Sequence, residues 1–199
     1  GRFGTNPCCI GIPLAGRVPF VLDFATSRVA QGKMRVAFNK GEQVAPGTLI
    51  DEFGKPTTNP GVVVEPQSNG LLGALLTFGE YKGYGMAVAC ELLGGALSGG
   101  GTWHHAPDTS ARAVVNGMLT ILIDPVRLGT QEQFAREAAA FVDWLQAGPV
   151  APGTASVLLA GDPERAAREQ RSQHGIAIDS QTWSELVAAG ATVGVHLAH

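Results

Sequence analysis

What most limits the folds open to this chain is an alternation: short apolar runs of strand length are separated by stretches with helical spacing. Val18–Phe24 (VPFVLDF) reads as a buried strand that carries one carboxylate, Asp23. Ala25–Phe38 is compatible with a helix that has Thr26 and Ser27 near its start. Residues 39–70 are dominated by turn signals such as Pro46-Gly47, Asn59-Pro60 and Asn69-Gly70, with room for a short strand at Val62–Val64. Leu71–Phe78 fits strand or helix. From Lys82 to Leu97 the residues Ala87, Cys90, Leu93, Ala96 and Leu97 recur at helical spacing, and Gly99-Gly100-Gly101 ends the helix. Gly94 and Gly95 inside it each cost about 1 kcal/mol against alanine, which points to another backbone approaching closely.

Ala113–Asp124 reads as a strand, bent at Gly117. Thr130–Gln146 is an amphipathic helix with a capping box at Thr130 and Gln133 and an apolar face of Phe134, Phe141, Trp144 and Leu145. A linker, Pro149–Gly153, leads to a strand at Ser156–Ala160. Asp162-Pro163-Glu164 then opens a helix as cap, first residue and first-turn acid, and Gly175 closes it. A last helix runs from Ser180 to Ala189 and ends at Gly190. This order predicts the α/β class.

Bulk properties narrow the function. The 199 residues suffice for one large domain or two small ones. A net charge of −3 without any block of like charge argues against a nucleic-acid or anionic-membrane face, so an acidic substrate would need a local basic pocket. The three cysteines, Cys8, Cys9 and Cys90, form no metal-binding spacing; no metal is expected, and the sparse count fits a reducing cytoplasm. The longest apolar stretch, Met86–Leu97, is too short to cross a membrane and contains Glu91. The chain opens Gly1-Arg2-Phe3 and enters a polar turn, from which more native chain before Gly1 is expected.

The dinucleotide fingerprint is missing: Gly83-Tyr84-Gly85-Met86-Ala87-Val88 lacks its third glycine. Walker A, G-x-S-x-G and H-E-x-x-H patterns are also absent. Four features remain, each with two readings. Glu80–Gly85 places Lys82 and free amides at a helix N-terminus, an anion site or a plain helix start. Asp23 in an apolar strand needs a partner; it orients a catalytic histidine or contacts a cofactor, or else it caps the next helix. Gly161–Glu164 is a cofactor loop at a strand end or only a good cap. Asn116 stabilises its strand or reads a ligand amide. His104 and His105 sit in a polar loop, and no histidine of the chain is nominated as the catalytic acid.

Taken in order, Phe3-Gly4-Thr5-Asn6-Pro7, Leu22-Asp23-Phe24-Ala25-Thr26-Ser27, Ile50-Asp51 with Gly54 and Pro56-Thr57-Thr58-Asn59-Pro60, Tyr81-Lys82-Gly83-Tyr84-Gly85, Gly161-Asp162-Pro163-Glu164 and Gly175-Ile176 with Ile178-Asp179 form a series that resembles the type-2 malate/L-lactate dehydrogenase family over nearly the whole chain. The resemblance implies a non-Rossmann nicotinamide-binding fold, a large mixed sheet with flanking helices, in a homodimer. Residues 1–125 would form the nicotinamide-binding domain, and residues 126–199 a helical part that completes it. It implies reversible hydride transfer between NAD(P)H and a 2-oxo acid, with NAD as the cofactor and NADP still open. Val21, Leu22, Asp23, Phe24, Ala25, Tyr81, Lys82, Asn116, Gly161, Asp162, Pro163 and Glu164 match cofactor-contact positions, and Asp23 matches the carboxylate that supports the catalytic histidine. Tyr81 stands where close relatives often have His, and Asp162 where the family often has Glu. The family's proton-donating histidine and substrate-binding arginine lie upstream of the match to Gly1, so these residues alone are not expected to catalyse. A cyclic imino-acid reductase on the same scaffold and a non-catalytic cofactor-binding or dimerisation fragment are the alternatives.

Overall fold

The computed structural model describes residues 4–104, 116–150 and 152–196. Along the chain run β1 (Cys8–Ile12), β2 (Phe20–Phe24), α1 (Gln31–Asn39), β3 (Leu49–Ile50), β4 (Pro56–Thr57), a 3-10 turn (Pro60–Val63), β5 (Ala74–Leu75), α2 (Tyr81–Cys90), a π-helical continuation (Glu91–Leu97), α3 (Gln131–Gln146), α4 (Asp162–His174) and α5 (Ser180–Thr192). They gather in two compact units that interleave in sequence. One holds Gly1–Pro7, Ala25–Met118 and Ile176–His199; the other holds Cys8–Phe24 and Leu119–Gly175. Residues on either side of position 125 therefore contribute to both units.

The first unit is built around Leu49, which is 0 % exposed, with Met34, Val62 and Val63 against it and Val29, Val44, Val64 and Leu75 at the margin. Its three-stranded sheet runs β4-β3-β5, antiparallel throughout, with Leu49 opposite both Thr57 and Leu75. Asp51 closes the β3–β4 turn by accepting from the amides of Phe53 and Lys55 at 2.9 and 2.8 Å. The strand expected at Val62–Val64 is a 3-10 turn instead. Pro60 has a fixed φ, and the Asn59 side chain accepts from the Gly61 amide at 2.9 Å, so the chain is bent where it would have to extend. Leu71–Phe78 resolves as the strand β5 and its flanks.

The helix expected from Ala25 begins only at Gln31. Buried Thr26 donates both its amide and its hydroxyl to the Thr5 carbonyl at 2.8 Å, Ser27 bridges Thr77, and the Arg28 amide donates to the Leu76 carbonyl. Those bonds hold the segment extended. The continuous helix expected from Lys82 widens to a π-helix at Glu91. There the glycines do what their cost implied: a Cβ on Gly95 would lie 2.3 Å from the Gly101 carbonyl oxygen, and one on Gly117 only 1.9 Å from that of Gly94. Asp179 caps α5 by accepting from the Thr182 amide at 2.9 Å, and the helix runs two residues past Gly190.

In the second unit β1 and β2 form an antiparallel ribbon, Cys9 opposite Asp23 and Ile12 opposite Phe20. The expected capping box of α3 is not made: Thr130 sits at the cap position without a side-chain bond. Val142 is the buried residue of that helix, while Phe141 and Trp144 are exposed with ring centroids 6.0 Å apart. The large mixed sheet is not formed among the described residues, which make one two-stranded and one three-stranded antiparallel sheet. Residues 116–124 and 156–160, both read as strands, lie outside every ladder; positions 113–115 of the first fall outside the described residues. No helix among the described residues is long and apolar enough to cross a membrane.

Candidate functional site

The strand β2 and the turn before α4 meet in the second unit. Alternation puts Val21 and Asp23 on one side of β2 and Phe20, Leu22 and Phe24 on the other. Asp23 is exposed, not buried as its apolar neighbours suggested, because a two-stranded ribbon leaves that side open. Its carboxylate needs no internal partner to offset desolvation, and it is accessible to one from outside. Ala25, which follows the strand, belongs to the first unit.

The Val21 amide donates to the Ala160 carbonyl at 3.3 Å, which brings the following turn against the strand. Gly161 takes a left-handed backbone there, φ 98°, and caps α4. A Cβ at this position would lie 2.7 Å from Arg165 Nη1 and 3.4 Å from the Val21 carbonyl oxygen. Asp162 is therefore the first helical residue and not the cap that its sequence context suggested. It reaches backwards: Oδ2 accepts from the Leu159 amide at 2.7 Å, and Oδ1 accepts from Arg165 Nη2. The Leu159 N–H first, and the Arg165 guanidinium second, hold the Asp162 carboxyl below the usual carboxylate range. Arg165 Nη1 also donates to the Pro19 carbonyl at 3.2 Å. Pro163 is the second helical residue, one place later than expected, and Glu164 beside it is exposed.

Val21, Gly161 and Asp162 are thus brought together from opposite ends of the chain. Arg165 was missed by sequence reasoning; the signal was its place three residues after Asp162 on a helix surface, an ion-pair spacing. A shallow cleft opens beside this junction, lined by Leu14, Arg17, Phe20, Val142, Leu159 and Asp162. At its rim Arg17 makes a two-pronged bond to Asp143 at 2.6 and 2.9 Å, which raises the arginine pKa and lowers that of the carboxyl. Both side chains are solvent-exposed, so water screens the pair.

Tyr81, Lys82 and Asn116 belong to the first unit. Tyr81 and Lys82 begin α2 and are exposed, behind a sharp turn in which Glu80 has φ 54°. The first-turn amides are less free than expected: those of Lys82 and Gly83 donate to the Gly79 and Phe78 carbonyls at 3.2 and 3.0 Å. What the helix end offers is the Lys82 ammonium beside the positive pole of the dipole. Asn116 is exposed, and its neighbour Gly117 lies against Gly94 in the π-helix. That places Asn116 on the order of 15–20 Å along the helix from Lys82, toward its other end. His104 pairs with the Thr102 hydroxyl at 2.6 Å, and His105 lies outside the described residues. No group of three metal-ligating side chains occurs among the described residues.

Comparison with known proteins places this geometry. The sequence pattern of the malate/L-lactate dehydrogenase family matches residues 1–187. Hydroxycarboxylate dehydrogenase B of Escherichia coli K12 is 45% identical over 98% of this chain and 52% of its own length. The Δ1-pyrroline-2-carboxylate/Δ1-piperideine-2-carboxylate reductase of Pseudomonas putida is 33% identical over 90% of this chain and 50% of its own. Among solved structures, a protein of malate/lactate dehydrogenase type from E. coli superposes with a TM-score of 0.86 at 44% identity, covering 98% of this chain and 53% of that one. The chain thus spans about half the length of these relatives. With an α/β dehydrogenase fold shared along almost its whole length, the chain belongs to the malate/L-lactate dehydrogenase family.

Proposed function

We propose that the protein to which these residues belong transfers hydride reversibly between a nicotinamide dinucleotide and a 2-oxo acid/2-hydroxy acid pair. NAD is the cofactor in this reading, with NADP as the alternative, and the protein works as a cytoplasmic homodimer. The observation that carries the reading is the junction of β2 with the Gly161 turn, where two segments with cofactor-contact character are hydrogen-bonded to each other. The residues of this junction fit such a group: a glycine leaves bare backbone beside Val21, and Asp23 presents an open carboxylate. Residues 1–125 supply the nicotinamide-binding part and residues 126–199 complete it. The contact positions in the second unit are Val21–Phe24 and Gly161–Glu164, and those in the first unit are Ala25, Tyr81, Lys82 and Asn116.

The bound cofactor supplies the hydride. Asp23 accepts a hydrogen bond from an imidazole N–H contributed from outside these 199 residues, fixes its tautomer and favours its charged form. That imidazolium then gives its proton to the alkoxide oxygen of the reduced substrate. Lys82 sets a positive charge at the start of α2, suited to a phosphate. On this reading the 199 residues alone do not turn over.

The test is Asp23→Asn in the full-length protein. The loss of kcat for keto-acid reduction is expected to be about 100-fold, the lower range for a disabled general acid. An unchanged kcat across neutral pH removes Asp23 from the mechanism. The identity to the P. putida reductase favours a second reading, reduction of a cyclic imino acid. Steady-state assays with pyruvate-type keto acids against cyclic imines separate the two.

A further inference from the structure

We propose that Arg165 is a positioning residue for cofactor binding, a clamp that fixes the Gly161–Glu164 turn to the strand carrying Asp23. This inference rests on the reading above, that the turn and the strand together hold a nicotinamide dinucleotide. The guanidinium spans the junction with one nitrogen on each side. Nη1 donates to the Pro19 carbonyl at 3.2 Å, immediately before β2, and Nη2 donates to Asp162 Oδ1. The second oxygen of Asp162 holds the Leu159 amide at 2.7 Å, so the carboxylate ties down the descending arm of the turn while the arginine ties the turn to the strand.

Gly161 completes the device. A side chain there would enter the space of the guanidinium, 2.7 Å from Nη1, so the glycine is what lets the clamp close over the turn. The arginine side chain is about one-third exposed and Asp162 one-quarter, so both are partly shielded from water. A planar fork reaches two acceptors in fixed directions; a lysine ammonium on its flexible stem does not hold both with the same geometry. The two bonds leave Asp162 committed within the junction, while Glu164, exposed in the same turn, is not drawn into the clamp.

The experiment uses the full-length protein and NADH. Wild type, Arg165→Lys and Arg165→Gln are titrated with NADH by fluorescence, and kcat and both KM values are measured for keto-acid reduction. The clamp predicts about a tenfold weaker NADH affinity and a tenfold higher KM for NADH in both variants, with kcat and the keto-acid KM within twofold of wild type. A purely structural loss moves differently, lowering the active fraction and hence kcat while leaving both KM values unchanged; that outcome overturns the proposal. So does an Arg165→Lys protein that folds and binds NADH as tightly as wild type. Should Arg165→Lys fail to fold, Arg165→Gln carries the test by the same two readouts. Wild type that binds neither NADH nor NADPH overturns the cofactor reading and the clamp with it, whereas binding by wild type with no change in the variants overturns the clamp alone.

Discussion

Two apolar regions of this chain have met opposite fates. Around β3, Leu49 is sealed on every side by Met34, Val62 and Val63, all drawn from within about thirty positions in sequence. The run Met118–Ile123 is at least as apolar, yet Leu122 is 92 % exposed, with Met118, Ile121 and Ile123 open beside it. Both alternating faces of that run are bare, and no ladder joins its edges among the described residues. A strand of this composition is suited to burial on both faces, and the chain spans only about half the length of its relatives. The lesson is that apolar content reports the need for cover, whereas the order of the sequence decides whether the cover is near.

The contrast can be broken by substitution. Leu49→Ala is expected to cost roughly 2–5 kcal/mol in denaturant unfolding, because a sealed site cannot collapse around the lost atoms. A cost below about 1 kcal/mol would mean that the cluster is looser than it looks. The next effect lies in the second unit and depends on acid. The Asp162 carboxyl is held below its usual value, so its contribution to stability is complete above about pH 4 and fades as pH falls beneath that. The protection of the α4 amides against hydrogen exchange, taken relative to the intrinsic rate at each pH, should therefore be constant from pH 5 to 8 and fall in acid. In Asp162→Asn the acid fall should disappear; if it persists unchanged, another carboxyl governs α4. Smallest is Leu122→Lys in the 199-residue chain, expected to shift stability by no more than about 0.5 kcal/mol while lowering hydrophobic-dye binding and self-association. Dye binding that stays the same would place the cover within these residues after all.

The same contrast governs what the sequence could reveal. Local codes were readable: Asn59-Pro60 makes a tight turn, Gly175 closes α4, and the cost of Gly94 and Gly95 announced the crossing at Gly117. Competition between local and distant partners was not. Thr26 looked like the start of a helix, but its bonds to Thr5 keep it extended. Asp23 looked buried because its neighbours are apolar, although only a wider sheet would bury it. Of the candidate site, β2 and the Gly161 turn could be named from motifs, whereas their junction through Arg165 depends on a contact across most of the chain. The free amides expected at Lys82 were already engaged, because Glu80 folds the preceding turn back on the helix start.

The bond from Arg165 to Pro19 joins positions 146 residues apart, and the first unit's Ala25–Met118 is inserted in the span between them. Closing so long a loop costs little more free energy than closing one half its length, but it takes time, because distant partners must find each other. During synthesis β2 leaves the ribosome long before its partner turn exists. This corner of the molecule is therefore among the last to assemble, and a ribosome that stalls before Ala160 releases a chain in which β2 has no turn to meet.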